Sequence, residues 1–204
     1  MDLTDSTLKV CVTAGSQIDV YGTPGKDLGI FLNGPEIRVF GNGQDSVGNT
    51  VSSGRIIVDR SCGHMAAMSA RGGRLFIRGN AGPRAAVHMK QFGAKKAVVV
   101  IGGSAAPFLG EYRGGGVVVV LNMAGESCAS FPVETIAAGI HGGLVFHRGP
   151  LDRDTVWGGA LIDHPTPDEQ SELRSTFLEY CGCFPGVFDF ESVFNSKYAP
   201  TRIA

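Results

Sequence analysis

Short apolar segments recur along most of the chain with a fixed alternation. Ile18, Ile37, Ile56, Leu75, Val98, Val117 and Leu144 open strand-like runs, at steps of 19, 19, 19, 23, 19 and 27 residues. Two residues further on stand Val20, Val39, Val58, Ile77, Val100, Val119 and Phe146. Side chains at i and i+2 share one face of a strand, so both columns can point into one core. The residue between them then faces the other way: Asp19, Arg38, Ile57, Phe76, Val99, Val118 and Val145, with Ile101 and Val120 beside them. The first two are charged and the rest apolar. Strands apolar on both sides are covered on both faces, and a soluble chain rarely exposes a contiguous patch of that size. Phe76, Val99, Ile101, Val118 and Val120 are therefore candidate partner-interface residues, to be covered by another subunit and in part by the C-terminal segment.

Glycine falls in register with these columns. Gly22, Gly41, Gly79 and Gly102 follow the strands, and Ser53-Gly54, Gly72-Gly73, Gly115-Gly116 and Gly142-Gly143 precede them. Small residues recur at Gly48, Ala67, Gly110 and Ala137. Glycine permits positive φ at corners, and small residues permit close stacking. A period near 19 is too short for a helix-turn-helix repeat and fits a coil of two or three short strands. A leucine-rich repeat would show leucine columns and an internal asparagine; here the columns are valine and isoleucine. The pattern predicts an all-β fold, a right-handed single-stranded parallel β-helix, with insertions of 4 residues near Lys90 to Lys96 and 8 within Asn122 to Glu134.

A stacked repeat needs capped ends. Residues 1–16 read as a first, imperfect coil. After His164 the character changes. Thr166-Pro167-Asp168-Glu169 carries a threonine cap, proline at the first helical position and glutamate at the third, a helix start. Leu173, Phe177, Leu178 and Cys181 fall on one face, and Gly182 is the expected stop. Phe184, Phe188, Phe190, Phe194 and Tyr198 mark an irregular aromatic tail. The predicted division is 1–163 for the β-helix and 164–204 for the C-terminal helix and extended tail.

The 204 residues suffice for one cored domain, and 43% hydrophobic with 18% charged residues describes a globular chain. Glycine, 30 residues, is about twice the usual ~7% share, without the three-residue period of collagen. A net charge of −1 argues against broad nucleic-acid binding. Cys11, Cys62, Cys128, Cys181 and Cys183 are an odd, scattered set that reads as reduced thiols. No apolar run approaches the ~20 residues of a membrane span, and the N-terminus lacks a signal-peptide pattern, so a cytoplasmic location is expected.

Signs of chemistry are sparse. Gly41-Asn42-Gly43 lacks a third glycine, since position 46 is Ser46, and reads as a coil corner rather than a nucleotide loop. Cys62 with His64, and Cys181 with Cys183, each lack the second pair a structural zinc site needs; Cys62 shares a small-residue column with Gly43 and Ala81. His141 and His147 flank a strand near Asp152, Asp154 and Asp163, but nothing gathers them into one cleft for acid–base work. Ser104, in Gly102-Gly103-Ser104-Ala105-Ala106, lacks the Gly-x-Ser-x-Gly elbow of a hydrolase. No catalytic, cofactor-binding or metal-binding residue is predicted, and a free-standing hydrolase is the weakest reading.

The coil sequences resemble a known family. Gly48 to Gly54, Ile77-Arg78-Gly79-Asn80-Ala81-Gly82, Ala85-Ala86-Val87-His88-Met89-Lys90, Val98-Val99-Val100-Ile101-Gly102-Gly103, Leu109-Gly110-Glu111-Tyr112 and Gly139-Ile140-His141-Gly142-Gly143 resemble the glycine-repeat (GXGXG) domain at the C-terminus of the glutamate synthase large subunit. The resemblance covers roughly residues 15–165, and in some microbes such a domain is a separate protein of about this length. It implies a parallel β-helix that braces other units without doing chemistry. Those units are an amidotransferase that hydrolyses glutamine and a synthase subunit with FMN and an iron–sulfur cluster. The chain departs from the family where Arg113 replaces a common methionine, and at Cys62 and Ala81. The resemblance implies a subunit of a glutamate- or N-methylglutamate-forming complex. The alternative is the corresponding β-helix subunit of a formylmethanofuran dehydrogenase-type complex, which carries a related domain.

Overall fold

A computed structural model describes residues 15–123, 135–148, 151, 154, 156, 160–187, 193 and 200–204. Among these residues the elements follow in the order β1 (Gln17–Tyr21), β2 (Asn33–Phe40), β3 (Ser53–Val58), β4 (Arg74–Ile77), β5 (Val98–Ile101), β6 (Gly114–Val120), β7 (Gly142–Arg148), β8 (Ile162–Asp163), α1 (Pro167–Cys183) and β9 (Pro200–Ile203). They form one sheet in the order β1-β2-β3-β4-β5-β6-β7-β9-β8. Pairing is parallel from β1 to β7, whereas β9 runs antiparallel to both β7 and β8.

The expected all-β parallel β-helix is corrected accordingly. The described residues make a mixed architecture, a nine-stranded, mostly parallel sheet with a 17-residue helix against it. Each repeat contributes one laddered strand. The rest of the repeat forms turns and isolated bridges such as Cys62 with Ala81 and Ala81 with Ala105. The physical reason lies in backbone conformation. Each turn alternates left-handed residues, for example Ser46 (φ 59), Gly48 (φ 72) and Thr50 (φ 55), then Met65, Ala67 and Ser69 at φ 54, 59 and 55. Residues with φ in this region cannot extend into a strand. The turns still stack by hydrogen bonds: Asp27 N donates to Asp45 O, Ser46 N to His64 O, Met65 N to Pro83 O and Arg84 N to Pro107 O. The small residues of the sequence pattern, Gly48, Ala67, Gly110 and Ala137, all sit at positive φ.

Registration holds through the first four strands, where Ile18, Ile37, Ile56 and Leu75 are successive partners. It then shifts. Leu75 pairs with Val99, not Val98, so this step is 24 residues and the insertion carries one more residue than expected. The extra length is taken up by a tight turn in which Phe92 and Lys95 exchange both backbone hydrogen bonds at 3.0 and 3.1 Å. A one-residue slip sends every later side chain to the opposite face.

Two apolar clusters result. The first holds Ile37, Val39, Ile56, Val58, Leu75, Ile77, Val99, Ile101, Val118, Val120 and Val145 on one face of the sheet. The second holds Ile57, Phe76, Val98, Val100, Val117, Val119 and Phe146 on the other, together with Leu173, Phe177, Tyr180, Cys183 and Phe184 from the helix and its end. Helix α1 begins as its sequence dictates: the Thr166 hydroxyl accepts from Glu169 N, and the Glu169 carboxylate accepts from Thr166 N. Its buried face differs from expectation, because Leu178 is exposed while Thr176 and Tyr180 are buried, and the helix runs past Gly182 to Cys183. No helix among the described residues is long and apolar enough to cross a membrane. Residues 1–14, the 8-residue insertion after Met123, and Phe188, Phe190, Phe194 and Tyr198 lie outside the described residues.

Candidate functional site

The five interface candidates separate by face. Phe76 stays on the predicted outer face, but α1 covers it: Tyr180 meets its ring edge-on at 5.7 Å and leaves it fully buried. Val99, Ile101, Val118 and Val120 are corrected. The register shift turns all four into the first cluster, at no more than 1% exposure, so they offer no surface to a partner. Their places under the helix are taken by Val98, Val100, Val117 and Val119, each shifted by one residue from the expected position. The apolar stripe legible in the sequence exists, and the chain's own helix is its cover.

The helix is held at its edges by charge. Glu179 accepts from Arg55 on β3 at 3.2 Å and from Arg74 on β4 at 2.5 Å, and Arg55 also pairs with Glu36 on β2. Lys96 pairs with Glu172 at 2.5 Å and Arg202 with Glu169 at 2.9 Å. Glu36, Arg55, Arg74 and Glu179 line a groove of about 510 Å³ along the strand starts, floored by Gly34, Gly54 and Gly73. Two arginines face two carboxylates there, so the groove is close to neutral and its charges hold one another rather than a ligand. Sequence reasoning missed Glu179 as the tie between two strands; its only signal was a polar position three residues before the helix expected to end.

One stretch of the same sheet face stays open. Beyond the helix C-terminus, Asp19 and Tyr21 on β1 are exposed. Tyr21 is 75% exposed and stacks on Phe40 at 4.7 Å, with the Arg38 guanidinium 5.1 Å from the Phe40 ring. Arg38 also pairs with Asp59 at 3.0 Å and donates to Cys183 O.

The candidate chemical groups are dispersed. Cys62 is buried, and burial pushes its thiol up to about 12, the direction opposite to a reactive thiolate. His64 is tied through its backbone N–H to Asp45 at 3.0 Å, which, with Lys26, holds the Asp45 carboxyl below its ordinary value. Cys183 is buried under the helix end, and burial raises its thiol as well. His141 is exposed and His147 buried at opposite ends of β7, with Asp163 exposed on β8; Asp152 lies outside the described residues. Ser104 is a turn residue whose N–H and hydroxyl both donate to Asn80 Oδ1, at 2.9 and 3.2 Å. Gly41 is a corner where an added Cβ would stand 2.1 Å from Gly22 O. Among the described residues, no three His, Cys, Asp or Glu side chains are grouped to hold a metal ion.

Comparison with known proteins gives this scaffold its context. The GXGXG motif family matches over residues 9–156. Uncharacterized protein MJ1350 of Methanocaldococcus jannaschii is 40% identical over 190 residues, covering 92% of this chain and 72% of that protein. The ferredoxin-dependent glutamate synthase of Pyropia yezoensis is 32% identical over 151 residues, 68% of this chain but 9% of the enzyme. That of Cyanidium caldarium is 34% identical over 142 residues, 63% of this chain and 8% of the enzyme. The chain thus spans under a tenth of the length of these glutamate synthases.

Proposed function

The chain belongs to the GXGXG motif family, and from that premise we propose that it is a non-catalytic structural subunit of a multi-subunit, glutamate-synthase-like complex that forms glutamate or N-methylglutamate. The observation that carries this is the scale of the match. About two thirds of this chain aligns with 8–9% of a ferredoxin-dependent glutamate synthase, so on this reading the chemistry of such an enzyme lies outside the GXGXG domain. On this reading an amidotransferase subunit supplies ammonia from glutamine. A synthase subunit carries FMN and an iron–sulfur cluster, and the present chain braces the two.

The geometry fits a brace. A continuous backbone ladder runs through seven parallel strands, and α1 is fixed across it by Glu172, Glu179 and Tyr180. The exposed Tyr21–Phe40 pair, with the half-buried Arg38 beside it, supplies aromatic and arginine side chains of the kind enriched at interfaces, and we assign it to the synthase-type partner. The test is native purification of a tagged full-length chain, with and without Tyr21→Ala and Phe40→Ala. The reading expects a glutaminase-type subunit and a flavin-containing subunit to co-purify, and the double variant to lose the flavin subunit. Recovery of a molybdopterin-binding subunit instead would refute it.

A further inference from the structure

Arg113 occupies a position that every earlier described repeat fills with an apolar side chain. The turn hydrogen bonds set the alignment: Thr50 N donates to Met68 O, Ser69 N to Val87 O, His88 N to Glu111 O and Tyr112 N to Ala138 O. Thr50, Ser69, His88 and Tyr112 each adopt positive φ, and the residue after each points inward. That column reads Val51, Ala70, Met89 and then Arg113, all buried. Arg113 is fully buried, yet its guanidinium makes a single hydrogen bond, from Nη1 to Leu144 O on β7 at 3.1 Å. Nε and Nη2 have no partner. The nearby acid Glu111 turns to Arg84 instead, at 3.8 Å. Burial lowers the Arg113 pKa to about 10, which leaves the group charged at neutral pH.

A buried charge with open donors favours any state that lets water reach it. The hydrogen bond to Leu144 places that tension between β6 and β7, and beside Leu144 lies a surface groove of about 380 Å³, lined also by Ile140, His141 and Arg202. We infer that Arg113 is a built-in release point: the β6–β7 junction opens locally ahead of the rest of the sheet, hydrating the guanidinium, so that the β7-β9-β8 end yields while β1 to β5 hold. Among the described residues, no other arginine or lysine is buried in this way. Between β2 and β5 the inward columns are aliphatic and buried, with no charged side chain among them.

Hydrogen exchange followed by mass spectrometry on the full chain tests this. Amides of β6 and β7 should exchange about tenfold or more faster than those of β3 and β4, and Arg113→Met should slow them by a similar factor while leaving β3 and β4 within about twofold. Arg113→Leu is a second variant with the same expectation. Uniform exchange along the sheet, unchanged β6–β7 rates in the variants, or failure of both variants to fold would overturn the inference, since the last would show that the charge supports this repeat rather than weakening it.

Discussion

Tyr180 is the side chain on which the docking of α1 most depends. It is fully buried, stacks on Phe177 at 6.0 Å, meets Phe76 at 5.7 Å and Phe184 at 4.9 Å, and donates its hydroxyl to Ile77 O at 3.1 Å. Truncation to alanine removes a ring from the centre of the second cluster. Large-to-small changes of this kind cost about 3–5 kcal/mol. Tyr180→Phe keeps the ring and loses only the hydroxyl. The Ile77 carbonyl is not stranded, because Gly102 N also donates to it, at 2.8 Å, so the cost falls near ~0.5–1.5 kcal/mol. Urea unfolding followed by far-UV circular dichroism separates the two. With a slope of ~2 kcal/mol per molar, the alanine variant should lose about 2 M in midpoint and the phenylalanine variant well under 1 M. A Tyr180→Ala midpoint within ~0.5 M of the parent, about 1 kcal/mol, would mean that α1 does not cover this face. Equal losses in the two variants would mean that the hydroxyl, not the ring, holds the helix.

Two further changes probe the packing and the turn ladder. Gly102→Ala would set a Cβ 2.3 Å from Arg78 O and 2.2 Å from the Tyr180 hydroxyl; it should cost about 1–3 kcal/mol, and Tyr180→Phe in the same chain should not restore it, because the Arg78 carbonyl is backbone. Asp45 is held below its ordinary pKa by the His64 N–H and Lys26, so its contribution is present above the ordinary carboxylate range and fades as pH falls through the folded value. The stability gap between the parent and Asp45→Asn should be at most ~1 kcal/mol at neutral pH, given the exposure of Lys26, and should close on acidification; a gap that widens in acid contradicts the assignment.

The strands of the first half were legible because charge marks their alternation. Arg38 between Ile37 and Val39 tells inside from outside. From Ala97 to Ile101 every residue is apolar, and such a run carries no parity. A single residue in the preceding turn then decided which valines face the helix, and the pattern alone could not count it. The helix start was legible because Thr166, Pro167 and Glu169 specify it locally. Its buried face was not, because the stripe of Leu173, Thr176, Phe177 and Tyr180 includes two hydroxyl-bearing residues and leaves out the apolar Leu178. The closed coil was over-read from a real repeat: the period is a property of the strand ladder, while the residues between strands lie in left-handed turns. Arg113 was visible as a departure, but its burial follows only from the column it shares with Met89, and the exposed Tyr21–Phe40 pair emerges only once the helix is seen to stop short of β1.

The proposal that this chain supports chemistry it does not perform is tested most directly by assaying glutamine hydrolysis and glutamate formation, with a flavin absorbance spectrum, on the purified chain alone and on the assembly that co-purifies with it. The isolated chain should be colourless and inactive, and the assembly should bear flavin and form glutamate or N-methylglutamate. Turnover or bound flavin in the isolated chain would contradict the proposal.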